Sequence, residues 1–324
     1  MAAASGAGEK TGATLFLETK NRIVEQYMYD HLLGEDPAEH AQFVVGDFDD
    51  TTIQISSSKK TDPNVFTCHI DAPYIAQIKA AGAFEPAATA LEKYLVASDS
   101  GVTLQVNSTA LPEDASVVVD TFAAIKHHVA GAPYKHLLTH LQAGTSVSLT
   151  PFCVNFKGTE TTYFLPGPDR VMFAYGMQFP DPTDAALVRV LCQQFADVQR
   201  TMGAAPAVSV CELGATGQTV PREITDSGLP LLTQGGEGFS GYIALTFFQG
   251  HVDDATKLAN TLTLAATFRT YITYHLKAAK SYIHSRMRNR VDSLLQVLKR
   301  AHTSDPTKPK VKKGFSGKTL KQRP

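Results

Sequence analysis

Apolar residues recur along this chain at spacings that predict a regular succession of helices and strands. A first helix is predicted in "TLFLETKNRIVEQYMYDHLL", and three strands follow it, "AQFVVGDF", "TTIQISSS" and "NVFTCHI". A loosely helical stretch, interrupted by Gly82 and Pro86, leads to the strands "YLVAS" and "GVTLQV". A further helix is predicted from Pro112 to about Leu141, with a bend at 131–133. Short-linked strands of this kind favour an antiparallel sheet with helices on one face.

The same order of elements recurs in the second half of the chain. Three strands are predicted in "SVSLTPFCVNFKG", "TTYFLPG" and "DRVMFAYGMQF", and a helix capped at Asp181 runs to about Arg200. The strands "PAVSVCEL" and "GYIALTFFQ" come next, and a last helix follows them. We therefore predict an α+β fold of two related domains, spanning 14–143 and 144–302.

The last helix is the longest, and it is predicted from about 254 to 301. Its apolar residues step by three or four positions without an intervening glycine or proline. At 1.5 Å per residue it would be about 70 Å long, which exceeds the width of a domain of this size. A helix that outreaches its domain while carrying an apolar stripe needs a partner to cover the excess.

Charge is distributed unevenly along the chain. The whole sequence has 30 basic and 31 acidic residues, yet residues 269–324 hold 15 of the basic ones and only Asp292 and Asp305 as acids. The C-terminal element is therefore strongly cationic, which is typical of segments that meet anionic partners. Beyond the helix, the basic and proline-containing tail 303–324 is predicted to be disordered, as is the leader 1–13.

Several motifs resemble catalytic or binding sequences, but each lacks a required part. The "GEGFSG" run at 236–241 precedes a strand rather than a helix, so we interpret it as a flexible loop. His136 and His140 stand four apart, but no glutamate follows His136 as the zinc-protease motif requires. His275 and His284 are nine apart, on opposite sides of a helix. We predict no catalytic residue, no cofactor and no metal.

Composition is that of a soluble globular protein, with 43% apolar and 19% charged residues. No apolar run approaches the roughly 20 residues that span a bilayer. The four cysteines are widely spaced and form no CxxC pair, which favours a reducing compartment. We expect a cytoplasmic protein without a membrane span.

The basic residues of the last helix allow three interpretations. They can simply face water, they can bind nucleic acid together with Tyr282 and His284, or they can face an acidic protein surface. No DNA- or RNA-binding module precedes the helix, and the rest of the chain is acidic. The spacing favours the protein surface, because Lys277, Lys280 and Arg288 avoid the apolar stripe.

The C-terminal sixty residues before the tail carry several motifs at fixed spacing. They are Gly241-Tyr242-Ile243, Thr267-Phe268-Arg269, Tyr274-His275, Tyr282-Ile283-His284, Arg286-Met287-Arg288 and Val297-Leu298. With these motifs the chain closely resembles the family of subunit 2 of the actin-related protein 2/3 complex. Fainter matches at "NRIVE", "DFDDTTIQIS" and "DRV" extend the resemblance into both halves.

The resemblance implies two related α+β domains and a long C-terminal helix that packs against the long helix of subunit 4. It also implies a non-catalytic subunit that contacts the side of an existing actin filament while a branch is nucleated. We assign the subunit interface to Phe268, Ile272, Leu276, Ile283 and Met287. The filament contact is assigned to Lys277, Lys280, Arg286, Arg288, Arg290, Lys299 and Arg300. A nucleic-acid-binding protein that uses the same helix and tail is the alternative.

Overall fold

The protein is described here by a computed structural model. It describes residues 19–34, 42–47, 49–58, 62–158, 160–201, 205–215, 219–233, 235 and 238–301. Within these ranges the side chains of residues 58, 62, 63, 198–201 and 298–301 are outside the description. The predictions for the leader 1–13 and the tail 303–324 lie outside the described residues.

The first sheet contains five antiparallel strands in the order β1-β2-β3-β5-β4. The strands are β1 (Gln42–Gly46), β2 (Thr52–Ser58), β3 (Asp62–Asp71), β4 (Leu95–Val96) and β5 (Val102–Asn107). Buried Ile53 and Ile55 alternate along β2 with the more exposed Thr52 and Gln54. This two-residue period places one apolar face against the helices and leaves the polar face outward.

The second sheet repeats this strand order as β6-β7-β8-β10-β9. Its strands are β6 (Phe152–Lys157), β7 (Glu160–Pro166), β8 (Arg170–Phe179), β9 (Ala207–Glu212) and β10 (Phe239–Phe248). All strand pairs are antiparallel, so the predicted α+β class and the related architecture of the two halves are confirmed.

Eight α-helices belong to the described part of the chain. They are α1 (Arg22–Leu32), α2 (Pro73–Ala80), α3 (Glu85–Leu91), α4 (Ala115–Ala123), α5 (Ile125–Gln142), α6 (Pro182–Thr201), α7 (Arg222–Asp226) and α8 (Ala255–Ala301). The expected continuous helix to Leu141 is two helices, separated at Ala124 rather than at 131–133. Next to this break, the Ala123 carbonyl accepts the Asn21 N–H at 2.8 Å, which connects it to α1. Pro133 lies inside α5.

One hydrophobic core joins the inner faces of both sheets. Helix α5 supplies its centre, where the fully buried Tyr134 packs edge-on against Phe164 and Phe173, with both pairs of ring centroids 4.9 Å apart. Tyr134 belongs to the first repeat and the two phenylalanines to the second. The division into domains at 143/144 stays a prediction, while the packing places both sheets around a shared core.

The outer face of the second sheet is covered by a segment that we call the strap (residues 219–233), which contains α7. Ile224 of the strap is fully buried in a second apolar cluster on this face. The Tyr163 hydroxyl donates to the Pro230 carbonyl at 2.7 Å, and the Leu232 N–H donates to the Tyr242 hydroxyl at 2.6 Å. Periodicity did not predict α7, because it is only five residues long.

Contacts divide the chain into two compact units with a boundary between Leu276 and Lys277. Both sheets belong to the first unit, and the distal part of α8 belongs to the second. Among the described residues, no helix combines the length and apolar character that a bilayer crossing requires.

Candidate protein-interaction surface along the C-terminal helix

Helix α8 begins where the sequence predicts. The Asp254 side chain caps it by accepting the Lys257 N–H at 2.7 Å. One turn later, the Thr261 hydroxyl donates to the His251 carbonyl at 2.8 Å. An aspartate at this position satisfies an otherwise unpaired backbone N–H of the first turn.

The first half of α8, which we define as 255–276, packs on the protein's own core. Ala265 and Ile272 are fully buried, and the exposed fractions of Phe268 and Leu276 are 5% and 4%. The Phe268 ring lies 5.1 Å from that of Tyr175 and 5.4 Å from that of Phe195. These contacts place one continuous face of the helix against the second sheet and α6.

The second half of α8, from 277 to 297, is exposed along most of its length. Met287 is 60% exposed and Leu294 is 58% exposed, while Ile283 is half-buried. At 3.6 residues per turn, Leu276, Ile283, Met287 and Leu294 lie within about 40° of one another around the helix. The apolar spacing that includes Leu276 therefore continues into residues 277–297 of the same helix, most of which are exposed.

We call the uncovered part of this face the distal stripe, and it consists of Ile283, Met287, Val291 and Leu294. Val291 is 53% exposed and lies beside the other three. Of the residues assigned to a subunit interface, only Ile283 and Met287 belong to the distal stripe. Phe268, Ile272 and Leu276 are buried on the chain's own core. The assignment of the five residues to a subunit interface stays a prediction.

The basic residues of the second half flank the distal stripe. Lys277 and Arg288 are exposed and lie about 85° and about 105° from the centre of the stripe on one side, while Arg286 and Arg290 lie on the other. Lys280 is half-buried. The side chains of Lys299 and Arg300 lie outside the description, although both residues belong to α8. The assignment of these seven residues to a filament contact stays a prediction.

Arg286 has a local partner on the same helix. Its Nη1 donates to the Tyr282 hydroxyl at 2.8 Å, and the guanidinium carbon lies 5.5 Å from the centre of the Tyr282 ring. Tyr282 is 61% exposed, so this cation–π pair lies in water and contributes little to stability.

A buried cluster of ionised side chains surrounds Arg269 in the first half of α8. Its Nη2 donates to Asp49 in the first sheet at 2.8 Å, and its Nη1 donates to Glu160 in the second sheet at 2.8 Å. Lys126 donates to the other oxygen of Asp49 at 2.9 Å. The guanidinium also lies 4.8 Å from the centre of the Phe156 ring. One arginine thus connects α8 to both sheets.

Opposing influences act on the pKa of Asp49. Burial raises it, but the positive charges of Lys126 and Arg269 and the hydrogen bonds from Lys126 and Thr51 outweigh burial, and together they lower this pKa to about 2. Asp49 is therefore ionised at neutral pH, as the buried Arg269 requires for charge compensation.

Sequence reasoning did not single out Arg269, although a signal was present. Arg269 lies on the buried face of α8, where its neighbours at helical spacing include the apolar Ala265, Ala266 and Ile272. A charge at such a position requires a buried counter-charge. Its partners, Asp49 and Glu160, are distant in sequence, and no helical or strand period connects them to it.

The histidines considered as metal ligands have other neighbours. The rings of His136 and His140 lie edge to face with centroids 4.9 Å apart, and His275 packs on Tyr271 at 4.0 Å. Across the described ranges, no three histidine, cysteine, aspartate or glutamate residues are grouped to hold a metal ion.

Comparison with known proteins gives consistent relatives. The family described as "Arp2/3 complex, 34 kD subunit p34-Arc" matches residues 69–305. "Actin-related protein 2/3 complex subunit 2" of Dictyostelium discoideum is 28% identical over 316 residues, which cover 95% of this chain and 99% of that protein. "Actin-related protein 2/3 complex subunit 2A" of Arabidopsis thaliana is 28% identical over 216 residues, covering 66% of this chain and 65% of the relative.

The family match includes both halves of α8, the Arg269 cluster apart from Asp49, and the whole second sheet. Because the match spans well over half of the sequence, the chain belongs to the p34-Arc family, the 34 kD subunit of the Arp2/3 complex.

Proposed function

We propose that this chain is a non-catalytic structural subunit of the Arp2/3 complex, located in the cytoplasm at the actin cytoskeleton. It forms the core of the complex with subunit 4 and contacts the side of the mother filament while a branched filament is nucleated. Membership of the p34-Arc family supports this assignment, as do relatives that are named as subunits of that complex.

The observation that carries the proposal is the exposure of the distal stripe on the same face that Leu276 buries. Met287, Val291 and Leu294 are each more than half exposed. A contiguous apolar line of this kind on a soluble protein indicates a surface that another chain covers. We propose that an amphipathic helix of subunit 4 packs on it. Phe268, Ile272 and Leu276 contribute by holding the helix on its own sheet.

The basic flanks of the stripe are the proposed filament side. Between 277 and 297 the helix has five basic residues and one acid, Asp292. Such charge steers and orients an acidic surface such as that of actin, while each exposed contact contributes little energy. Lys277 and Arg288 lie on one side of the stripe, and Arg286 and Arg290 lie on the other.

Copurification tests the subunit interface. Met287→Asp places a charge in the distal stripe, and we expect it to reduce the recovery of subunit 4 by at least about tenfold, because an unpaired charge in an apolar contact is costly. Asn289→Asp is the matched control, since Asn289 is exposed and lies about 140° from Leu294 around the helix. Equal recovery with both variants would contradict the assignment of the stripe.

Filament pelleting tests the basic flanks in the assembled complex. Reversal of Arg288 and Lys299 to glutamate should weaken filament-side binding, and the same reversal at the exposed Arg222 of the strap should not. If the double reversal leaves filament binding intact while RNA binding by the chain collapses, the alternative of a nucleic-acid-binding helix replaces the filament contact.

A further inference from the structure

The turn between β1 and β2 presents three carboxylates to cations from three other elements. Asp47 accepts from Lys126 of α5 at 2.5 Å, and Asp49 accepts from both Lys126 and Arg269. The Oδ1 atom of Asp50 lies 3.0 Å from the Nζ atom of Lys157, at the end of β6. We call these three aspartates the acidic turn. It connects the edge of the first sheet to α5, to the second sheet and to α8.

The strand that enters this turn is otherwise held weakly. Within the described ranges β1 is an edge strand that pairs with β2 alone, and none of its five residues is fully buried. Its inward side chains, Phe43 and Val45, are half-buried, and Val44 is 60% exposed. The corresponding edge strand of the second sheet, β6, has Val154 and Phe156 in the core. At the edge of the first sheet the apolar contact is smaller, because Phe43 and Val45 are only partly buried against the core.

Arg269 is suited to hold this edge because it binds two carboxylates with one planar group. Its side chain is 10% exposed, and its two terminal nitrogens bind Asp49 and Glu160 separately. A lysine ammonium at this position is a single point donor and lacks the fork that reaches two carboxylates in fixed directions. Apolar contacts do not require one particular orientation of the side chains. The two hydrogen bonds of Arg269, in contrast, form only when Asp49 and Glu160 lie in the directions of its N–H groups.

We propose that Arg269 is a positioning residue that holds the β1–β2 hairpin of the first sheet against α8 and the second sheet through its ion pairs with Asp49 and Glu160. We call this pair of contacts the latch. Removal of its charge releases β1 and the acidic turn locally, while the rest of both sheets and the distal stripe stay folded.

This part of the hairpin opens first, because it is then held by the β1–β2 ladder, by the half-buried Phe43 and Val45, and by the ion pairs of the acidic turn with Lys126 and Lys157. The other strand, β2, keeps Ile53 and Ile55 buried in the core. This inference concerns the chain's own conformation and does not depend on the proposed filament contact.

Amide hydrogen exchange on the reconstituted complex tests the latch. In Arg269→Gln, we expect exchange in Gln42–Gly46 and at the acidic turn to accelerate by at least about tenfold, since local opening exposes those amides. Exchange in β8, β10 and the distal half of α8 should stay unchanged. Unchanged exchange in β1, or an equal acceleration in β8 and β10, would overturn the proposal.

Three further variants separate the latch from a general loss of stability. Arg189→Gln removes the bidentate pair of Arg189 with Glu212, which joins α6 to β9, and it should leave β1 protected. Asp49→Asn should reproduce the effect of Arg269→Gln. The double variant should open β1 no further than the stronger single one, because both changes break the same contact. Multiplied effects in the double variant contradict the latch.

Arg269→Lys keeps the proposal testable if the glutamine variant fails to assemble. It retains the charge but not the planar fork, so β1 should exchange at a rate between those of the wild type and Asp49→Asn. A lysine variant with wild-type protection would show that charge alone, rather than the positioning of two carboxylates, holds the hairpin.

Discussion

The two halves of α8 present the same apolar face to different surroundings. In 255–276 this face lies on the second sheet and α6, and its centre at Ile272 is fully buried. In 277–297 the same face is more than half exposed at Met287, Val291 and Leu294. A single helical period therefore includes residues of the chain's own core and residues that are exposed. Periodicity reports that a face is apolar, and only the fold shows which part of it is already covered.

Matched leucines on the two halves give the largest expected contrast. Leu276→Ala removes a buried side chain and should lower the free energy of unfolding by about 2–5 kcal/mol. Leu294→Ala, on the same face but 58% exposed, should change it by less than about 0.5 kcal/mol. Urea unfolding of the two variants measures the difference. Similar losses at both positions would mean that the distal half is already packed within the free chain.

Acid unfolding tests the comparison at Arg269, the charged residue that 255–276 buries in the core. The pKa of Asp49 is about 2 in the folded chain against an ordinary 3.8, so its ionised form is stabilised by folding. This contribution to the free energy of unfolding, about 2 kcal/mol, is present above about pH 4 and is lost as the pH falls towards 2. The groups facing Asp49 are Lys126, Arg269 and Tyr74.

The measurement is the unfolding free energy of wild type and of Asp49→Asn at pH 5 and at pH 2. Other carboxylates titrate in both proteins. The difference between the two proteins in how much unfolding free energy is lost from pH 5 to pH 2 therefore isolates the contribution of Asp49. The wild type should lose about 2 kcal/mol more than the variant over this range. Parallel slopes would show that Asp49 does not gain its low pKa from the cluster.

The smallest expected effect lies in the exposed half. Arg286→Ala removes the contact with Tyr282, and because both side chains are in water the unfolding free energy should change by less than about 0.5 kcal/mol. Thermal unfolding followed by circular dichroism is sufficient to measure this. A loss comparable with that of Leu276→Ala would place Arg286 in a packed environment within the chain.

Much of the fold follows from local patterns in the sequence. The order of strands and helices, the aspartate caps of α6 and α8 and the repeated architecture could be predicted, because each depends on a short period or on a cap. The break at Ala124 and the strap could not. The strap is held by the hydroxyls of Tyr163 and Tyr242, and no periodic signal marks such contacts.

The candidate surface was predicted in part. The apolar stripe and its basic flanks were visible at helical spacing, including Ile283 and Met287. Sequence spacing alone does not show that the core ends near Leu276, since the stripe has no interruption there. The contact between Arg269 and Asp49 was not predicted, because the two residues are 220 positions apart and meet only in the folded chain.

The shared core around α5 has a consequence for any attempt to divide the molecule. Tyr134, Leu137 and Leu138 come from the first repeat but are buried beside residues of the second. A fragment that stops after α5 would leave these side chains facing water, and a fragment that begins at β6 would lack the wall against which Phe164 and Phe173 pack. The two repeats therefore form a single cooperative unit, and they are expected to melt in one transition rather than in sequence.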